Sequence, residues 1–320
     1  MALLTGVFLV AFFIGDPSYA NATQLPEPIY IQRPNNPVMS VLIGEAKAKN
    51  KFSVNTQYVI EDTEGRQFII LKAHQHMSIS YENGMYIAKR GNNIMKSNKP
   101  LRVTPDSLKK KVTITNYENR PAWNTELNDN VFFGSIEVVY SENTGRLLLV
   151  NHIPLERYVR GIAEVSNSHP KAYLKSLLVA ARTYALYNIL HPTKHADEPY
   201  ILDATDNDQI YRGANFSKRS PRVRKAQKKT RKKVIMYDGE PIIAPYFSCS
   251  DGRTRAWSEV WNGSYAWAQA VDDPCCTTMT LWGHGVGLSG EGARYFAGEG
   301  WGYKKILKYY YSGVEIKKGY

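Results

Sequence analysis

Residues 170–191 read PKAYLKSLLVAARTYALYNILH and predict one long helix in the middle of the chain. Proline fits the first turn of a helix, and Pro192 cannot continue one, so both ends are bounded. Apolar residues recur at helical spacing on the buried side, at Leu174, Leu177, Leu178, Ala181, Ala185 and Leu186. Arg182 lies near that side, so its guanidinium needs an acidic or carbonyl partner.

The sequence on either side of this helix favours short β-strands. Residues 38–117 contain runs rich in Val, Ile, Thr and Tyr, separated by turn signals such as Glu82-Asn83-Gly84. Residues 131–150 predict a hairpin, and a last helix is expected around 304–311. The predicted fold is α+β, antiparallel and β-rich, with one central amphipathic helix at about 170–191 and a β-rich N-terminal region.

The N-terminus carries an apolar run, ALLTGVFLVAFFIG, that has the length of a signal-peptide core and is short for a membrane span. No Lys or Arg precedes Arg33, so the positive segment typical of a signal peptide is missing. The apolar run therefore has two interpretations, a cleaved signal peptide and an uncleaved membrane anchor. Either one predicts export. We expect a signal peptide or anchor at 1–22, a linker at 23–37, the β-rich region at 38–125 and one further domain at 126–320.

The chain is basic, with a formal net charge of +12 among 320 residues. Such a field attracts nucleic acid, anionic lipid or an anionic wall polymer, and charge alone does not choose among them. Residues 218–233, KRSPRVRKAQKKTRKK, predict a helix with Ser220 as N-cap and Val223, Ala226 and Thr230 turned inward. Its basic side is either a solvated face or a polyanion contact. No groove-reading motif accompanies it, so no specific nucleic acid is expected.

The three cysteines, Cys249, Cys275 and Cys276, are too few for a disulfide scaffold in a chain of this length. One bridge from Cys249 to either of the others remains open. Adjacent thiolates are expected to point apart, which makes Cys275 and Cys276 a poor chelate. We therefore predict no metal site and no cofactor.

Four polar segments without periodicity interrupt the core-forming sequence: Gly161 to His169, QIYRG at 209–213, YFSCSDGRT at 246–254 and GHGVGLS at 283–289. Functional residues concentrate in loops of this kind. Glu164 in the first segment and His284 in the last suggest an active site based on a carboxyl group.

Seven blocks of the sequence, in order and over about residues 131–316, resemble the stage II sporulation protein D / amidase enhancer (SpoIID/LytB) family. They are VNHIPLERYVRGIAEV, LLVAARTYAL, QIYRG, YFSCSDGRT, VDDP, GHGVGLSGEGA and ILKYYYSGVEI. The resemblance implies a catalytic domain at 126–320, acting outside the cytoplasm at the cell wall. Its expected partners are peptidoglycan glycan strands, an amidase and anionic wall polymer.

The implied activity is that of a lytic transglycosylase, which cuts between N-acetylmuramic acid and N-acetylglucosamine in strands lacking stem peptides and leaves a 1,6-anhydro end. The resemblance gives Glu164 the role of catalytic acid. Arg182, Tyr246 and Ser250 fall on family positions of functional importance. A non-catalytic, wall-binding enhancer of an amidase is the alternative that the family name implies.

The chain departs from the family pattern at several positions. Leu177 and Gly290 stand where Gln is usual, and the connection from Pro274 to Gly283 is short. Some relatives hold zinc through Cys and His just before the QIYRG equivalent. DATDNDQ at 203–209 supplies neither residue, so no such zinc is predicted.

One carboxyl group suffices for a transglycosylase, because it protonates the glycosidic oxygen and then takes the proton of the sugar's own 6-hydroxyl. The acid must be protonated near neutral pH, which requires apolar neighbours; Val165, Tyr246 and Trp261 are candidates. A hydrolase would need a second carboxylate, for which Glu156, Asp251 and Glu259 stay open. A capping carboxylate at the helix start is the structural alternative for Glu164.

The remaining candidates also have two interpretations each. His284 either handles a substrate hydroxyl or proton, or fixes its loop, and Gly285 allows close approach of a ligand or close packing. Gln209, Tyr211 and Arg212 form polar groove walls or a structural turn. Cys249 pairs with His284 as a nucleophile or is buried or disulfide-bonded. Aromatic residues line a sugar groove or pack in the core: Trp257, Trp261, Trp267 and Trp282.

Overall fold

The computed structural model of the chain describes residues 34–320. The predicted signal peptide or anchor and most of the predicted linker lie outside these residues. Within the described part of the chain, none of the helices is both long and apolar enough to cross a membrane.

Strands predominate among the described residues up to Pro154, and shorter strands follow. Their bounds are β1 Val38–Glu45, β2 Lys49–Val54, β3 Tyr58–Asp62, β4 Gln67–Leu71, β5 His76–Glu82, β6 Met85–Arg90, β7 Asn93–Ser97, β8 Leu101–Pro105, β9 Lys111–Ile114, β10 Val131–Phe133, β11 Ser135–Ser141, β12 Arg146–Pro154, β13 Leu202–Asp203, β14 Lys233–Tyr237, β15 Glu240–Pro241, β16 Tyr246–Phe247, β17 Leu288–Ser289 and β18 Glu315–Lys318. The helices are α1 Leu155–Tyr158, α2 Lys171–Leu190, α3 Gly213–Arg219, α4 Pro221–Lys229, α5 Gly290–Gly298 and α6 Tyr303–Tyr310.

One compact unit comprises Val38–Ala163 and His195–Arg219. A seven-stranded sheet in the order β13-β1-β12-β11-β8-β3-β4 and a six-stranded sheet in the order β10-β9-β2-β5-β6-β7 build it. Alternating residues of the strands are buried, as at Met39, Val41 and Ile43 of β1. This is the period-two pattern of a strand with one face in the core.

The other unit comprises Glu164–Lys194 and Ser220–Tyr320, with the few described residues before Val38. It contains the sheets β15-β14-β18 and β16-β17, and α2 packs against α4, α5, α6 and β14. The two units are discontinuous in sequence, whereas the prediction divided the chain at residue 126. The physical reason is strand pairing, since β8 hydrogen-bonds to β11 and β1 to β12.

The α+β fold and the central helix are confirmed, and α2 begins and ends within one residue of its predicted limits. Its burial extends beyond one face, because every residue from Ser176 to Leu186 is buried. The reason is that α2 packs against neighbours on several sides, namely α4, α5, α6 and β14. Fully buried Arg182 has carbonyl partners, donating to the oxygens of Leu178 at 3.3 Å and of Lys233 at 3.2 Å.

Candidate active site

Glu164 meets Tyr246 in the unit that holds α2. Tyr246 lies in β16, which pairs in parallel with β17, and its hydroxyl donates a hydrogen bond to Oε2 of Glu164. Both residues are half-buried. The N-cap position of α2 is Pro170, without a side-chain capping hydrogen bond. Glu164 is therefore not the cap of this helix, and its hydrogen bond to Tyr246 gives it a fixed orientation.

The turn that follows Glu164 is fastened by Arg222 of α4. The Arg222 guanidinium donates to the carbonyl oxygens of Ser168 at 3.0 Å and His169 at 3.1 Å, and its amide donates to Oδ1 of Asn167 at 2.8 Å. Nδ1 of His169 accepts a hydrogen bond from the amide of Ser166 at 3.1 Å. Arg222 of the basic segment 218–233 therefore has a structural role. The sequence did not distinguish it from the other basic residues of that segment.

Tyr173 is a neighbour of Glu164 that sequence reasoning missed. It lies in the first turn of α2 and is buried. Burial raises the pKa of its phenol, and the charges of Glu291 and Glu164 raise it further. Tyr173 therefore stays neutral, and its phenol is close enough to Glu164 to feel the charge of that carboxylate. A tyrosine at a buried helix position carries no sequence signal for this role.

His284 fixes its own loop through both ring nitrogens. Nδ1 accepts from the amide of Val286 at 3.0 Å, and Nε2 is 3.1 Å from the carbonyl oxygen of Tyr246, to which it donates. Burial lowers the pKa of His284 to about 4, although the bond to the Tyr246 carbonyl opposes this shift. These two hydrogen bonds support the loop-fixing interpretation, and a role of His284 towards a substrate stays a prediction.

The glycines around His284 serve close packing. Gly287 has φ of +79°, and a Cβ there would lie 2.2 Å from the carbonyl oxygen of Pro245. Gly285 has φ of +82°, with Cγ of Arg255 2.8 Å from the equivalent point. Left-handed backbone and lack of space both select glycine. At Gly285, protein atoms fill the place that a ligand would need.

Ser250 is buried, and its hydroxyl donates a hydrogen bond to Oδ2 of Asp273 at 2.7 Å. The hydroxyl of Tyr310 donates to Oδ1 of the same carboxylate at 2.8 Å. Asp273 thus ties the segment after β16 to α6, and its neighbour Gly292 in α5 leaves room for it. Ser250 supports the fold rather than touching a substrate. Asp273 belongs to the VDDP block, to which the sequence assigned no role.

The aromatic candidates divide into core and surface. Trp257 and Trp267 are buried and pack against each other and Tyr265. The ring of Trp261 lies 4.9 Å from that of His284, whereas Trp282 is 45% exposed. The groove interpretation is therefore restricted to Trp261 and Trp282. Val165, expected as an apolar neighbour of the acid, is buried.

The QIYRG residues lie in the other unit and form a structural turn. Gln209 and Tyr211 are buried; Gln209 accepts from the hydroxyl of Tyr158 at 2.9 Å, and Tyr211 donates to Oδ1 of Asn151 at 3.0 Å. Arg212 donates to Oδ1 of Asn119 at 2.8 Å. Because Gln209 and Tyr211 are shielded from solvent, they do not act as groove walls.

The segment 203–209 is held by hydrogen bonds from protein groups. His195, Asp203 and Asp208 bring one ligand atom each within 4.8 Å of one another. Asp208 Oδ2 accepts from Nε2 of His195 at 2.8 Å and from the amide of Asp203 at 2.7 Å. Asp203 in turn accepts from Thr205 and Asn207. These protons satisfy the carboxylates and close the turn.

Two of the acids considered as second carboxylates are in exposed ion pairs. Asp251 accepts from Arg255 at 2.7 Å and 2.9 Å, and Glu259 accepts from Arg253 at 2.8 Å and 3.1 Å. The Arg253 hydrogen bond, with that of the Ala256 amide, lowers the pKa of Glu259 to about 2. Glu259 is therefore an ionised partner of arginine.

Cys249 does not form a nucleophile pair with His284. Burial raises the pKa of its thiol to about 12, and its sulfur contacts Sδ of Met279 at 3.4 Å. Both ring nitrogens of His284 bond to backbone, as described above. A buried, protonated thiol is not reactive.

The departures from the family pattern lie at packed positions. Leu177 is buried in α2. At Gly290 a Cβ would lie 3.0 Å from the carbonyl oxygen of Ser248 and 3.2 Å from the hydroxyl of Tyr173. A glutamine side chain at this point would meet Tyr173, so the glycine and the tyrosine fit together.

Comparison with known proteins matches residues 143–237 to the SpoIID family, described as Stage II sporulation protein. An uncharacterized protein of Brachyspira hyodysenteriae is 32% identical over 157 residues, which cover 48% of this chain and 40% of that protein. Stage II sporulation protein D of Bacillus subtilis is 26% identical over 137 residues, 39% of this chain and 40% of that protein. The amidase enhancer of B. subtilis is 34% identical over 100 residues, 31% of this chain and 12% of that protein.

The matched segments span 40% or less of the length of these relatives. The family match includes Glu164 and Arg182, and the ordered blocks continue beyond it through Tyr246, Ser250 and His284. Residues 143–237 of the chain thus match the SpoIID family, and the similarity to Stage II sporulation protein D and to the amidase enhancer supports the resemblance to the SpoIID/LytB family.

Proposed function

We propose that the protein is a peptidoglycan lytic transglycosylase with Glu164 as its single general acid and base. The substrate is the bond between N-acetylmuramic acid and N-acetylglucosamine in glycan strands that lack stem peptides. The observation that carries the proposal is the hydrogen bond from the Tyr246 hydroxyl to the Glu164 carboxylate, in a half-buried setting. The activity places the protein outside the cytoplasm, at the cell wall.

The proposed reaction uses one proton twice. Protonated Glu164 gives its proton to the glycosidic oxygen, and the bond from that oxygen to C1 of the muramic acid breaks with its electron pair on the oxygen. The 6-hydroxyl of the same sugar then attacks C1, and its proton passes to the Glu164 carboxylate. The products are a free 4-hydroxyl and a 1,6-anhydro ring, and the acid is regenerated.

The surroundings of Glu164 suit this cycle. Tyr246 donates to Oε2 in either protonation state of the acid, which holds the carboxyl group in one orientation while it exchanges its proton with the sugar. Neutral Tyr173 and buried Val165 provide low-polarity neighbours. Trp282, exposed on the same unit, offers an aromatic face on which a sugar ring can stack.

The test is release of anhydro-muropeptides from peptide-stripped glycan by wild type and by Glu164→Gln. General acid catalysis contributes about 100-fold to 10,000-fold, so we expect a loss of at least 100-fold in Glu164→Gln. Glu299→Gln, an exposed change at the end of α5, is the matched control and keeps wild-type activity. Equal anhydro-product from wild type and Glu164→Gln would remove Glu164 from the mechanism.

The second candidate is a non-catalytic enhancer of an amidase that binds anionic wall polymer. The basic side of α4 favours it: Arg222, Lys225, Lys228 and Lys229 are exposed while Val223 and Ala226 face inward. Burial lowers the pKa of Lys175 in α2, and the charges of Lys171 and Lys229 lower it further, so positive charges of α2 and α4 act on the same lysine.

This candidate predicts salt-sensitive binding to wall material and no new glycan ends. Replacing Lys225, Lys228 and Lys229 by Glu should abolish sedimentation with walls, whereas the same change at Lys72, Lys89 and Lys96, exposed in the other unit, should not. An enhancer raises the release of wall peptides by an added amidase, and Glu164→Gln retains that effect. Loss of enhancement in Glu164→Gln contradicts a purely binding role.

A further inference from the structure

The three cysteines converge on one buried cluster, together with Met279. The sulfurs of Cys275 and Cys276 are 2.7 Å apart, and the hydrogen bond from Ser250 to Asp273 brings the adjacent Cys249 to the same place, where its thiol interacts with that of Cys276. Met279 Sδ lies 3.4 Å from Cys249 Sγ. The expectation that adjacent thiols point apart is wrong here, because the two sulfurs lie 2.7 Å from each other.

Cys276 is the centre of this cluster, since its sulfur lies 2.7 Å from that of Cys275 and it also interacts with the Cys249 thiol. Its neighbour Cys275 is the less suitable partner for a bond, because consecutive Cα atoms across a trans peptide are about 3.8 Å apart and disulfides usually span about 4.4 to 6.8 Å. Cys249 comes from a different segment, the one that follows β16, so it has no such restriction. Both Cys249 and Cys276 are buried, whereas Cys275 is half-buried.

A metal ion fits the cluster less well than a covalent bond does. Two thiolates on one tetrahedral zinc ion, each at about 2.3 Å, lie about 3.8 Å apart, which exceeds the separation of Cys275 and Cys276. Asp273, the nearest carboxylate, already accepts from Ser250 and Tyr310. Burial also raises the pKa of the Cys249 and Cys275 thiols, which keeps them protonated.

We propose that Cys249 and Cys276 form a disulfide bond in the oxidised protein and that Cys275 remains a free thiol. The two thiols lose two electrons and two protons to an external low-molecular-weight disulfide, which is cleaved to two thiols. The new bond joins the segment after Tyr246 to the turn at Pro274–Cys276. The hydrogen bond between Ser250 and Asp273 already links the same two segments. Because both sulfurs are buried, the bond forms as the fold closes.

The proposed disulfide lies close in sequence to the candidate active site. Tyr246, the partner of Glu164, is three residues before Cys249 on the same segment. Reduction leaves that segment attached through hydrogen bonds, including those between the backbones of Cys249 and Trp282. The disulfide itself does not depend on the proposed glycan cleavage.

The test counts thiols in the full chain after refolding with oxidised glutathione. Alkylation of the denatured protein should modify one cysteine in wild type, none in Cys275→Ser and both remaining cysteines in Cys276→Ser. Peptide mapping should join Cys249 to Cys276. A reductant should lower the Tm of wild type and of Cys275→Ser but leave that of Cys276→Ser unchanged.

Three outcomes overturn the proposal. They are three alkylated cysteines in refolded wild type, a mapped bond that includes Cys275, and stoichiometric zinc that wild type retains after refolding with zinc chloride and Cys276→Ser does not. Circular dichroism of each variant establishes that it has folded before the thiols are counted.

Discussion

The hydroxyl of Tyr246 donates a hydrogen bond to the carboxylate of Glu164. The two residues come from segments far apart in sequence, and the parallel pairing of β16 with β17 sets the position of Tyr246. His284 stabilises this arrangement, because its Nε2 donates a hydrogen bond to the Tyr246 carbonyl oxygen at 3.1 Å. The acid is thus oriented by a tyrosine whose own backbone is fixed.

Replacing Tyr246 by Phe should lower the proposed lytic activity while leaving the fold intact. The change removes one hydrogen bond to a charged group, about 1.5 to 3 kcal/mol, which corresponds to roughly 10-fold to 150-fold in rate. Anhydro-muropeptide release is the measurement. Tyr309→Phe, which removes a hydrogen bond of 2.6 Å to the carbonyl of Asp272, is the control and should retain full activity. Equal loss in both variants would argue against an orienting role.

The parts of the molecule governed by local sequence were predictable. The limits of α2 and the inward positions Val223, Ala226 and Thr230 follow from helical periodicity and proline, and burial confirms them. The carbonyl partners of Arg182 follow from the cost of burying a charge without hydrogen bonds. These features need no knowledge of distant segments.

The parts set by long-range pairing were not predictable. Nothing near Tyr173 in sequence indicates that the charge of Glu164 acts on its phenol, and nothing in VDDP indicates that Asp273 accepts from two hydroxyl groups. The roles of Gln209 and Tyr211 depended on burial, which a short polar motif does not reveal. Sequence reasoning proposed residues for a site, and packing separated those that contact Glu164 from those that support the fold.

The stability of the protein should fall as the pH is lowered from about 6.5 towards 4, in part because of His284. Burial lowers the folded-state pKa of His284 to about 4, so on acidification this residue takes up a proton in the unfolded chain at a higher pH than in the folded protein. Acidification therefore stabilises the unfolded state relative to the folded state. The lowering of the pKa from 6.5 to about 4 corresponds to a contribution of about 3 kcal/mol to the free energy of unfolding. This contribution is fully present above pH 6.5.

Urea unfolding of wild type and His284→Gln across this pH range tests the assignment. Wild type should be more stable at pH 7, and the difference should shrink as the pH approaches 4. His76→Gln, at an exposed position, should show little difference from wild type at any pH. A constant gap between wild type and His284→Gln would mean that the residue acts without titrating.

Tyr310→Phe should destabilise the protein by about 1 to 3 kcal/mol, because it leaves one oxygen of the buried Asp273 carboxylate without its hydroxyl donor. Ser250→Ala removes the donor to the other oxygen, and the two changes should not be additive, since they share one carboxylate. A double-mutant cycle by urea unfolding measures the coupling. Strict additivity would indicate that Asp273 has another donor in solution.

Gly292→Ala should be among the most damaging single-methyl changes in α5. A Cβ at this position would lie 1.8 Å from Oδ1 of Asp273 and 2.1 Å from the hydroxyl of Tyr310, so either the hydrogen bond or the helix must move. Overpacking of this kind typically costs about 1 to 3 kcal/mol, and we expect Gly292→Ala at the upper end of that range. Gly298→Ala in the same helix has nothing within 4 Å of its added methyl group, and it should be neutral or stabilising by up to about 1 kcal/mol. Unfolding free energies of the two variants give the comparison, and a Gly292→Ala protein as stable as Gly298→Ala would contradict the close packing of α5 against Asp273.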